Sequence, residues 1–331
     1  MLIVFSSCAN DDAVSSDAPA VKDIYISGNE NSTGVNVAKY WKNGEETTLT
    51  DGTNNAVTSA IIVVENDVYV SGNERNEDFH NVAKYWKNGV PVSLSDGRMD
   101  AFATDITIAG NDVYVAGHEL TAACFPAAKY WKNGISISLT DEKNFSFANA
   151  ITVAGNDVYV AGTENYIAQY WKNGKPFALT DGKKEVYTTD ITVDGNDVYV
   201  SGYEVNDAHF YVAKYWKNGT PVSLTDGTKD ARANSLAVID NNVYVAGYDG
   251  NSAKYWKNGI ATTLSADSER AIATAVTVVG NKLFVSGTQF NPKNNLTNNV
   301  IKYWENGRAI VVGNPEGFEN KCSTGMFITL K

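Results

Sequence analysis

The chain has 331 residues, 43% of them apolar and 20% charged, a composition typical of a globular protein with one large domain or two small ones. Its formal net charge is −11, and this charge repels phosphate backbones and anionic membrane surfaces. Nucleic acid is therefore excluded as an expected partner. No stretch approaches the roughly 18 apolar residues of a membrane-spanning helix.

The N-terminus carries a short apolar run, residues 1–8, which ends in two serines and Cys8 and lacks the usual preceding basic residues. This run resembles the end of a bacterial lipoprotein signal peptide. The resemblance implies cleavage before Cys8, lipidation of Cys8 and a place in the bacterial cell envelope, at the outer membrane, with the lipid as the only membrane contact. A disordered apolar tag is the alternative. Residues 9–22 are rich in Ser, Ala and Asp, and we expect them to form a flexible tether.

From residue 23 to residue 331 the chain repeats one unit seven times. Each copy contains a version of Lys39-Tyr40-Trp41-Lys42-Asn43-Gly44, and the seven copies hold all seven tryptophans. The steps between successive tryptophans are 45, 45, 40, 45, 40 and 48 residues. A period of 40–50 residues with strand-like segments is typical of a β-propeller, so we predict an all-β, seven-bladed propeller.

Four short segments per unit alternate apolar and polar residues, which predicts four antiparallel strands, named A to D from the central channel outward. In the third unit these are 103–108, 112–116, 127–131 and 135–139. Asn-Gly, as in Asn133-Gly134, joins strands C and D because both residues tolerate positive φ. The first unit lacks an A strand, and residues 326–330 form an extra one. We therefore expect the C-terminus to supply the innermost strand of blade 1 and close the ring.

The repeated apolar A–B hairpin, the Trp-x-Asn-Gly turn and the Leu-containing strand that follows resemble the HAF-type extracellular repeats. This resemblance covers nearly all of residues 23–331. It implies a secreted propeller-like array and brings no catalytic residues and no cofactor with it.

The blades differ in their B–C and D–A connections, which open on one face, here called the variable-loop face. Loops on a rigid scaffold are the usual place for binding groups. The non-repeated aromatic residues lie there, and we predict one contact set on adjacent blades: Tyr187, Tyr203, Phe210, Tyr211, Arg232 and Tyr248. Aromatic rings beside amides and carboxylates suit sugars or a protein hot spot. The sequence thus favours a monomeric, non-catalytic module that binds a glycan or an envelope protein, and packing of blade ends is the alternative role of these rings.

Two other functions remain open. Asp105 and Asp190, each expected to start an A strand, together with Glu185 and Arg232, form a candidate catalytic set for a glycoside hydrolase or polysaccharide lyase. The alternative role of such aspartates is to accept backbone hydrogen bonds. The third function is a structural subunit of an outer-membrane complex, which would show a broad apolar patch.

Acidic residues end six of the seven B strands: Glu30, Glu74, Glu119, Glu164, Glu204 and Asp249. Lysines on the returning C strands predict cross-strand ion pairs, and a Ca²⁺ site is the alternative. The three histidines lie on separate loops, so no metal site is predicted. Cys124 and Cys322 are expected to be free thiols, with a disulfide between them as the alternative.

Overall fold

A computed structural model describes residues 21–31, 34–290, 299–312 and 320–330, so that Cys8 and most of the predicted tether lie outside the described residues. Throughout the described ranges the regular elements are β-strands, and no helix there is long and apolar enough to span a membrane. The strands are β1 (Val21–Asn31), β2 (Asn36–Lys42), β3 (Glu45–Thr48), β4 (Ala56–Val64), β5 (Asp67–Arg75), β6 (Asn81–Lys87), β7 (Val90–Ser93), β8 (Ala101–Ala109), β9 (Asp112–Leu120), β10 (Pro126–Lys132), β11 (Ile135–Ser138), β12 (Ser146–Ala154), β13 (Asp157–Glu164), β14 (Ile167–Lys172), β15 (Lys175–Ala178), β16 (Val186–Asp194), β17 (Asp197–Val205), β18 (Tyr211–Lys217), β19 (Thr220–Ser223), β20 (Ala231–Ile239), β21 (Asn242–Asp249), β22 (Ser252–Lys257), β23 (Ile260–Thr263), β24 (Ala271–Val279), β25 (Lys282–Gln289), β26 (Val300–Glu305), β27 (Arg308–Val311) and β28 (Asn320–Leu330).

These strands form seven four-stranded antiparallel sheets. Blade 1 has the order β28-β1-β2-β3, and blades 2 to 7 each take the next four strands in chain order, from β4–β7 to β24–β27. The innermost strands contact one another in the cycle β4, β8, β12, β16, β20, β24, β28 and back to β4. The chain is therefore a seven-bladed β-propeller, as predicted. The C-terminal strand β28 supplies strand A of blade 1 and pairs antiparallel with β1, which confirms the predicted closure.

The repeated hexapeptide fixes one end of every blade. Each tryptophan is at most 2% exposed and packs between neighbouring sheets. The asparagine and glycine of each copy both have positive φ, as in Asn43 and Gly44, so the predicted two-residue turns are confirmed. The asparagine side chain also accepts the backbone N–H of the B strand, as Asn88 does from Val68 at 2.8 Å. The motif therefore encodes a turn and its attachment to the neighbouring strand.

In blades 1 to 5 the second lysine of the motif adds an ion pair at the same end. Lys87 lies 2.7 Å from Asp67 and stacks over the ring of Tyr69, with its Nζ 5.2 Å from the ring centroid. Blade 7 exchanges the two charges, because Lys282 pairs with Glu305 at 2.7 Å. These pairs are largely exposed, so each contributes only roughly 0–1 kcal/mol.

A ring of bulged residues joins the innermost strands around the channel. Every A strand skips one residue in its pairing with strand B, and the skipped residues are Ser59, Thr104, Asn149, Thr189, Asn234, Thr274 and Thr324. A bulge re-aims its side chain, and these polar groups reach the next blade. Ser59 Oγ donates to the carbonyl of Ala103 at 2.7 Å, and the series closes with Thr324 Oγ1 at 2.8 Å from Thr58 Oγ1. Side-chain hydrogen bonds therefore link all seven blades around the channel.

Candidate functional site

The variable-loop face rests on three loops with the same backbone. Loops 76–80, 121–125 and 206–210 join strands B and C in blades 2, 3 and 5. In each, the first residue binds the last through the backbone, as Asn206 N donates to Phe210 O at 2.9 Å. The fourth residue has positive φ in all three: Phe79, Cys124 and His209. Blades 4 and 6 have two-residue turns at this place, residues 165–166 and 250–251. The loop backbone is thus shared, while its side chains differ.

Cross-strand pairs surround the channel mouth on this face. In blades 2 to 7, the second residue of the innermost strand faces a residue of strand B: Val57 faces Asn73, Phe102 faces His118, Phe147 faces Thr163, Tyr187 faces Tyr203, Arg232 faces Tyr248 and Ile272 faces Thr288. The aromatic pairs belong to blades 3 to 6. The mouth is therefore aromatic on blades 3 to 6, and smaller residues line it on blades 2 and 7.

The predicted contact set forms a group here called the rim cluster: Tyr187, Tyr203, Phe210, Tyr211, Arg232 and Tyr248. The rings of Tyr187 and Tyr203 stack with centroids 4.9 Å apart, and Tyr203 meets Tyr211 edge-on at 5.0 Å. The guanidinium carbon of Arg232 lies 4.5 Å from the Tyr203 ring centroid and 4.7 Å from that of Tyr211. Four of the six side chains are thus in direct contact.

Exposure divides the rim cluster into supporting and accessible members. Tyr203 is only 8% exposed, whereas Tyr187 and Phe210 are 37% and 38% exposed. Burial raises the pKa of Tyr203 and of Tyr248. Burial, followed by a hydrogen bond to Glu185, raises the pKa of Tyr187. All three phenols are therefore neutral near pH 7, and Tyr203 supports the surface beneath its neighbours.

Arg232 has an unusual environment. Its Nε atom is buried without a hydrogen-bond partner, and among the described residues its guanidinium forms no ion pair. Stacking on two tyrosine rings compensates part of the desolvation of its charge. A cation held this way keeps donors that a ligand can use.

Two of the three candidate catalytic carboxylates, Asp105 and Asp190, share a cavity, and the third, Glu185, lies elsewhere. Asp105 and Asp190 lie in the middle of β8 and β16, not at the strand starts as predicted, because each A strand begins four residues earlier. Each bridges two blades: Asp105 accepts the N–H groups of Ile106 and Ile151, both at 2.8 Å. Both line a channel cavity of about 180 Å³, whereas Glu185 lines a different cavity at the rim.

The two channel aspartates have raised pKa values. Burial, followed by the negative charge of Asp190, raises the pKa of Asp105 to about 7. Burial raises the pKa of Asp190 to about 6, against the lowering effect of the N–H groups of Leu236 and Ile191. These groups have the backbone role that was the alternative to catalysis.

The acidic residues at the ends of the B strands form the predicted cross-strand contacts. Lys84 lies 2.6 Å from Glu74, Lys214 lies 2.8 Å from Glu204, and Gln169 donates to Glu164 at 3.1 Å. Among the side chains described, no three His, Cys, Asp or Glu residues are arranged to hold a metal ion. Cys124 and Cys322 are free, as predicted.

Sequence reasoning missed a cavity of about 220 Å³ on the variable-loop face between blades 4 and 5, here called the blade 4–5 cavity. Its lining is Phe145, Phe147, Thr163, Tyr166, Glu185, Val186 and Tyr187. It exists because Thr163 takes the place that His118 fills in blade 3 and Tyr203 fills in blade 5. Blades 2 and 7 also have a residue without a ring at this position, Asn73 and Thr288, so the cavity depends on the neighbouring aromatic blades and not on this position alone.

Comparison with known proteins gives the fold alone. No protein-family model matches the chain, and no curated protein matches it. Among solved structures, it is similar to a puromycin-hydrolysing peptidase of Mycobacterium tuberculosis, with 12% identity and a TM-score of 0.57 over 91% of this chain and 53% of that one. It is also similar to oligopeptidase B from Trypanosoma brucei, with 11% identity and a TM-score of 0.51 over 92% of this chain and 48% of that one. The chain thus spans about half the length of both peptidases.

Proposed function

We propose that this protein is a non-catalytic module that binds a glycan through the rim cluster. The observation that carries the proposal is Arg232, whose guanidinium lies against the rings of Tyr203 and Tyr211 without an ion-pair partner among the described residues. Beside it, Tyr187 and Phe210 present accessible rings. Ring faces bind the C–H face of a sugar, and the guanidinium donates to hydroxyl or carboxylate oxygens.

The rim cluster is pre-formed, which favours binding without rearrangement. Tyr203 is fixed by contact with Tyr187, Tyr211 and Arg232. The backbone N–H of Tyr211 donates to Asp230 at 3.0 Å, and that of Phe210 donates to Asn206 at 2.9 Å. Phe210 therefore sits on a loop whose hydrogen bonds are already made, and Tyr187 sits on strand β16.

Blade 2 provides the residues for a clean test, because its loop has the same backbone with His80 and Asn81 in place of Phe210 and Tyr211. An array of neutral and acidic oligosaccharides is probed with the full chain and with a Phe210→His/Tyr211→Asn variant. We expect the variant to lose at least tenfold in affinity for the bound glycan while its melting temperature stays close to that of the wild type. The matched control is His80→Ala in blade 2, which should bind like the wild type. Equal binding by the Phe210→His/Tyr211→Asn variant would exclude the rim cluster as the site.

A protein partner is the second candidate, favoured by exposed rings elsewhere on the same face. Phe79 is 74% exposed and Phe145 is 52% exposed, on blades 2 and 4. Several exposed aromatic residues on one face are typical of a protein interface. If no oligosaccharide on the array binds, the glycan proposal fails, and cross-linking on intact cells followed by comparison with Phe79→Ser tests this candidate.

The same proposal places the protein in the bacterial envelope, held by a lipid on Cys8. Its support is the apolar run of residues 1–8 followed by a polar segment. Cells that express the full chain are fed an alkyne-tagged fatty acid. The wild type should carry the label and fractionate with membranes, and Cys8→Ser should do neither. Unlabelled wild type would exclude the anchor.

A further inference from the structure

The blade 4–5 cavity has the composition of a cage for an organic cation. Four aromatic side chains line it, Phe145, Phe147, Tyr166 and Tyr187, and the charged group among its lining residues is the Glu185 carboxylate. Its volume of about 220 Å³ lies below the roughly 300–1,000 Å³ of pockets for drug-sized ligands. It therefore has room for one small group.

Three of the four rings contact another ring that does not line the cavity. Phe145 meets Phe125 edge-on with centroids 4.9 Å apart, and Phe147 meets His118 at 4.9 Å. Tyr187 stacks on Tyr203. Because these contacts fix three of the four lining rings, the cavity is pre-organised.

The fourth ring stands on a strained turn. Asn165 and Tyr166 form the two-residue B–C turn of blade 4, with φ of 49° and 67°. Positive φ is uncommon for a bulky side chain such as tyrosine, and glycine is the residue that favours this position. Tyr166 is nevertheless 64% exposed, so burial does not explain its presence. A strained, exposed ring at the edge of a cavity indicates a contact for a ligand.

The charges around the cavity favour a cation. Tyr187 donates a hydrogen bond to Glu185, which fixes the carboxylate. The adjacent lysines point elsewhere, since Lys183 pairs with Asp181 at 2.5 Å and Lys184 lies 3.3 Å from Asp207. Burial lowers the pKa of His118 to about 4, so the imidazole in contact with Phe147 is neutral at pH 7.

We propose that the blade 4–5 cavity binds a trimethylammonium group, from a free choline-type molecule or from a choline lipid headgroup. Such a group has no N–H to satisfy, and it needs aromatic faces and a nearby negative charge, which this lining supplies. A hexose would bury several hydroxyl groups against four rings, where few partners could satisfy them. The cavity is thus distinct in chemistry from the rim cluster, although the two share Tyr187.

The decisive comparison is between choline and its uncharged carbon isostere, 3,3-dimethyl-1-butanol. Each is titrated into the full chain and followed by calorimetry and by NMR of the aromatic signals. We expect saturable choline binding in the millimolar range or tighter, and binding of the isostere at least tenfold weaker. Equal affinities would show that the cavity binds apolar groups regardless of charge, which contradicts a site for a cation. Absence of choline binding would overturn the proposal outright. Co-sedimentation with phosphatidylcholine vesicles in competition with free choline distinguishes the two sources.

Variants locate the site without disturbing the fold. Tyr166→Gly removes a ring and relieves the positive-φ strain, so it should weaken choline binding at least tenfold while the melting temperature stays equal or rises. Glu185→Gln keeps an acceptor for Tyr187 but removes the charge, and it should weaken choline binding severalfold without changing binding of the isostere. The matched control is Phe79→Gly in the blade 2 loop, because Phe79 is also an exposed ring at positive φ but does not line the cavity, and this variant should bind choline normally. Unchanged binding in Tyr166→Gly would overturn the assignment. The glycan array remains a separate test, because its Phe210→His/Tyr211→Asn variant alters no residue of this cavity.

Discussion

Blades 2 and 5 have the same framework, meaning the strands, the loop backbone and its hydrogen bonds. They differ at the rim, meaning the side chains at the channel mouth. In both, an asparagine at the start of the five-residue loop donates to a glycine carbonyl at 2.8 Å, Asn76 to Gly97 and Asn206 to Gly227. The two blades also share the cross-strand ion pair at the end of strand B. At the rim, Val57, Asn73 and Asn81 of blade 2 stand where blade 5 has Tyr187, Tyr203 and Tyr211. The framework therefore specifies the backbone, and the rim positions are free to carry binding chemistry.

Blades 2 and 5 both belong to a closed ring of seven blades, so opening this ring should have the largest effect on stability. Removal of residues 325–331 deletes most of β28 and with it the innermost strand of blade 1. Blades 1, 2 and 7 then lose the contacts that β28 makes with β1, β4 and β24. We expect the loss of a single cooperative transition in thermal unfolding followed by circular dichroism. A truncated chain that melts like the full chain would refute closure as a source of stability.

Equivalent tryptophans test whether the two frameworks are equally stable. Trp86 and Trp216 are both 1% exposed and pack at equivalent places. Trp86→Ala and Trp216→Ala should each lower the free energy of unfolding by about 3–5 kcal/mol, since each leaves a cavity in a tightly packed interface. Urea denaturation of the two variants gives the comparison. Costs that differ by more than about 2 kcal/mol would show that the rim of blade 5 contributes to its framework.

Blade 3 has a third kind of residue, His118, at the position of Asn73 in blade 2 and Tyr203 in blade 5. Its imidazole lies between Phe102 and Phe147, at centroid distances of 5.0 and 4.9 Å, and burial lowers its pKa from 6.5 to about 4. The folded chain therefore binds fewer protons than the unfolded chain between these two values. Acidification through this window should cost up to about 3 kcal/mol of stability, with the full cost reached below about pH 4.

The variant His118→Tyr carries the residue that blade 5 has at this position, and it isolates the contribution of the His118 pKa to the pH dependence of stability. Asp105 and Asp190 act in the opposite direction, because a raised carboxyl pKa gives stability that is full below about pH 3.8 and is lost as pH rises towards 7. The measured quantity is therefore the difference in unfolding free energy between variant and wild type, from urea denaturation at pH 7 and pH 4.5. That difference should shift in favour of the variant on acidification. A constant difference would contradict the lowered pKa.

The framework was predictable and the cavities were not, for a physical reason. The spacing of the tryptophans, the Asn-Gly turns and the surplus strand at the C-terminus are local features, and they predict the blades and their closure. The bulge ring also has a local signal, since Ser59, Thr104 and their equivalents are polar residues at the tryptophan spacing within apolar strands. The blade 4–5 cavity depends on Thr163 facing Phe147 of its own blade and lying beside Tyr187 of the next. That arrangement follows from register and blade order together, which no single segment contains.

Substitution of Asn76 and Asn206, whose side chains hold the five-residue loops of blades 2 and 5, should have the smallest effect on stability. It also separates the stability of the loop from its role in glycan binding. Asn76 Oδ1 accepts the N–H of His80, and Asn206 Oδ1 accepts those of Ala208 and Phe210. Asn76→Ala and Asn206→Ala should each cost about 1–2 kcal/mol of unfolding free energy, because each leaves loop N–H and carbonyl groups without partners. Glycan binding, measured with the glycan identified on the array, should weaken only in Asn206→Ala, because only that loop carries Phe210 and Tyr211. Equal loss of binding in both variants would mean that the site extends to blade 2, and the contrast between the two rims would then fail as an account of where the ligand binds.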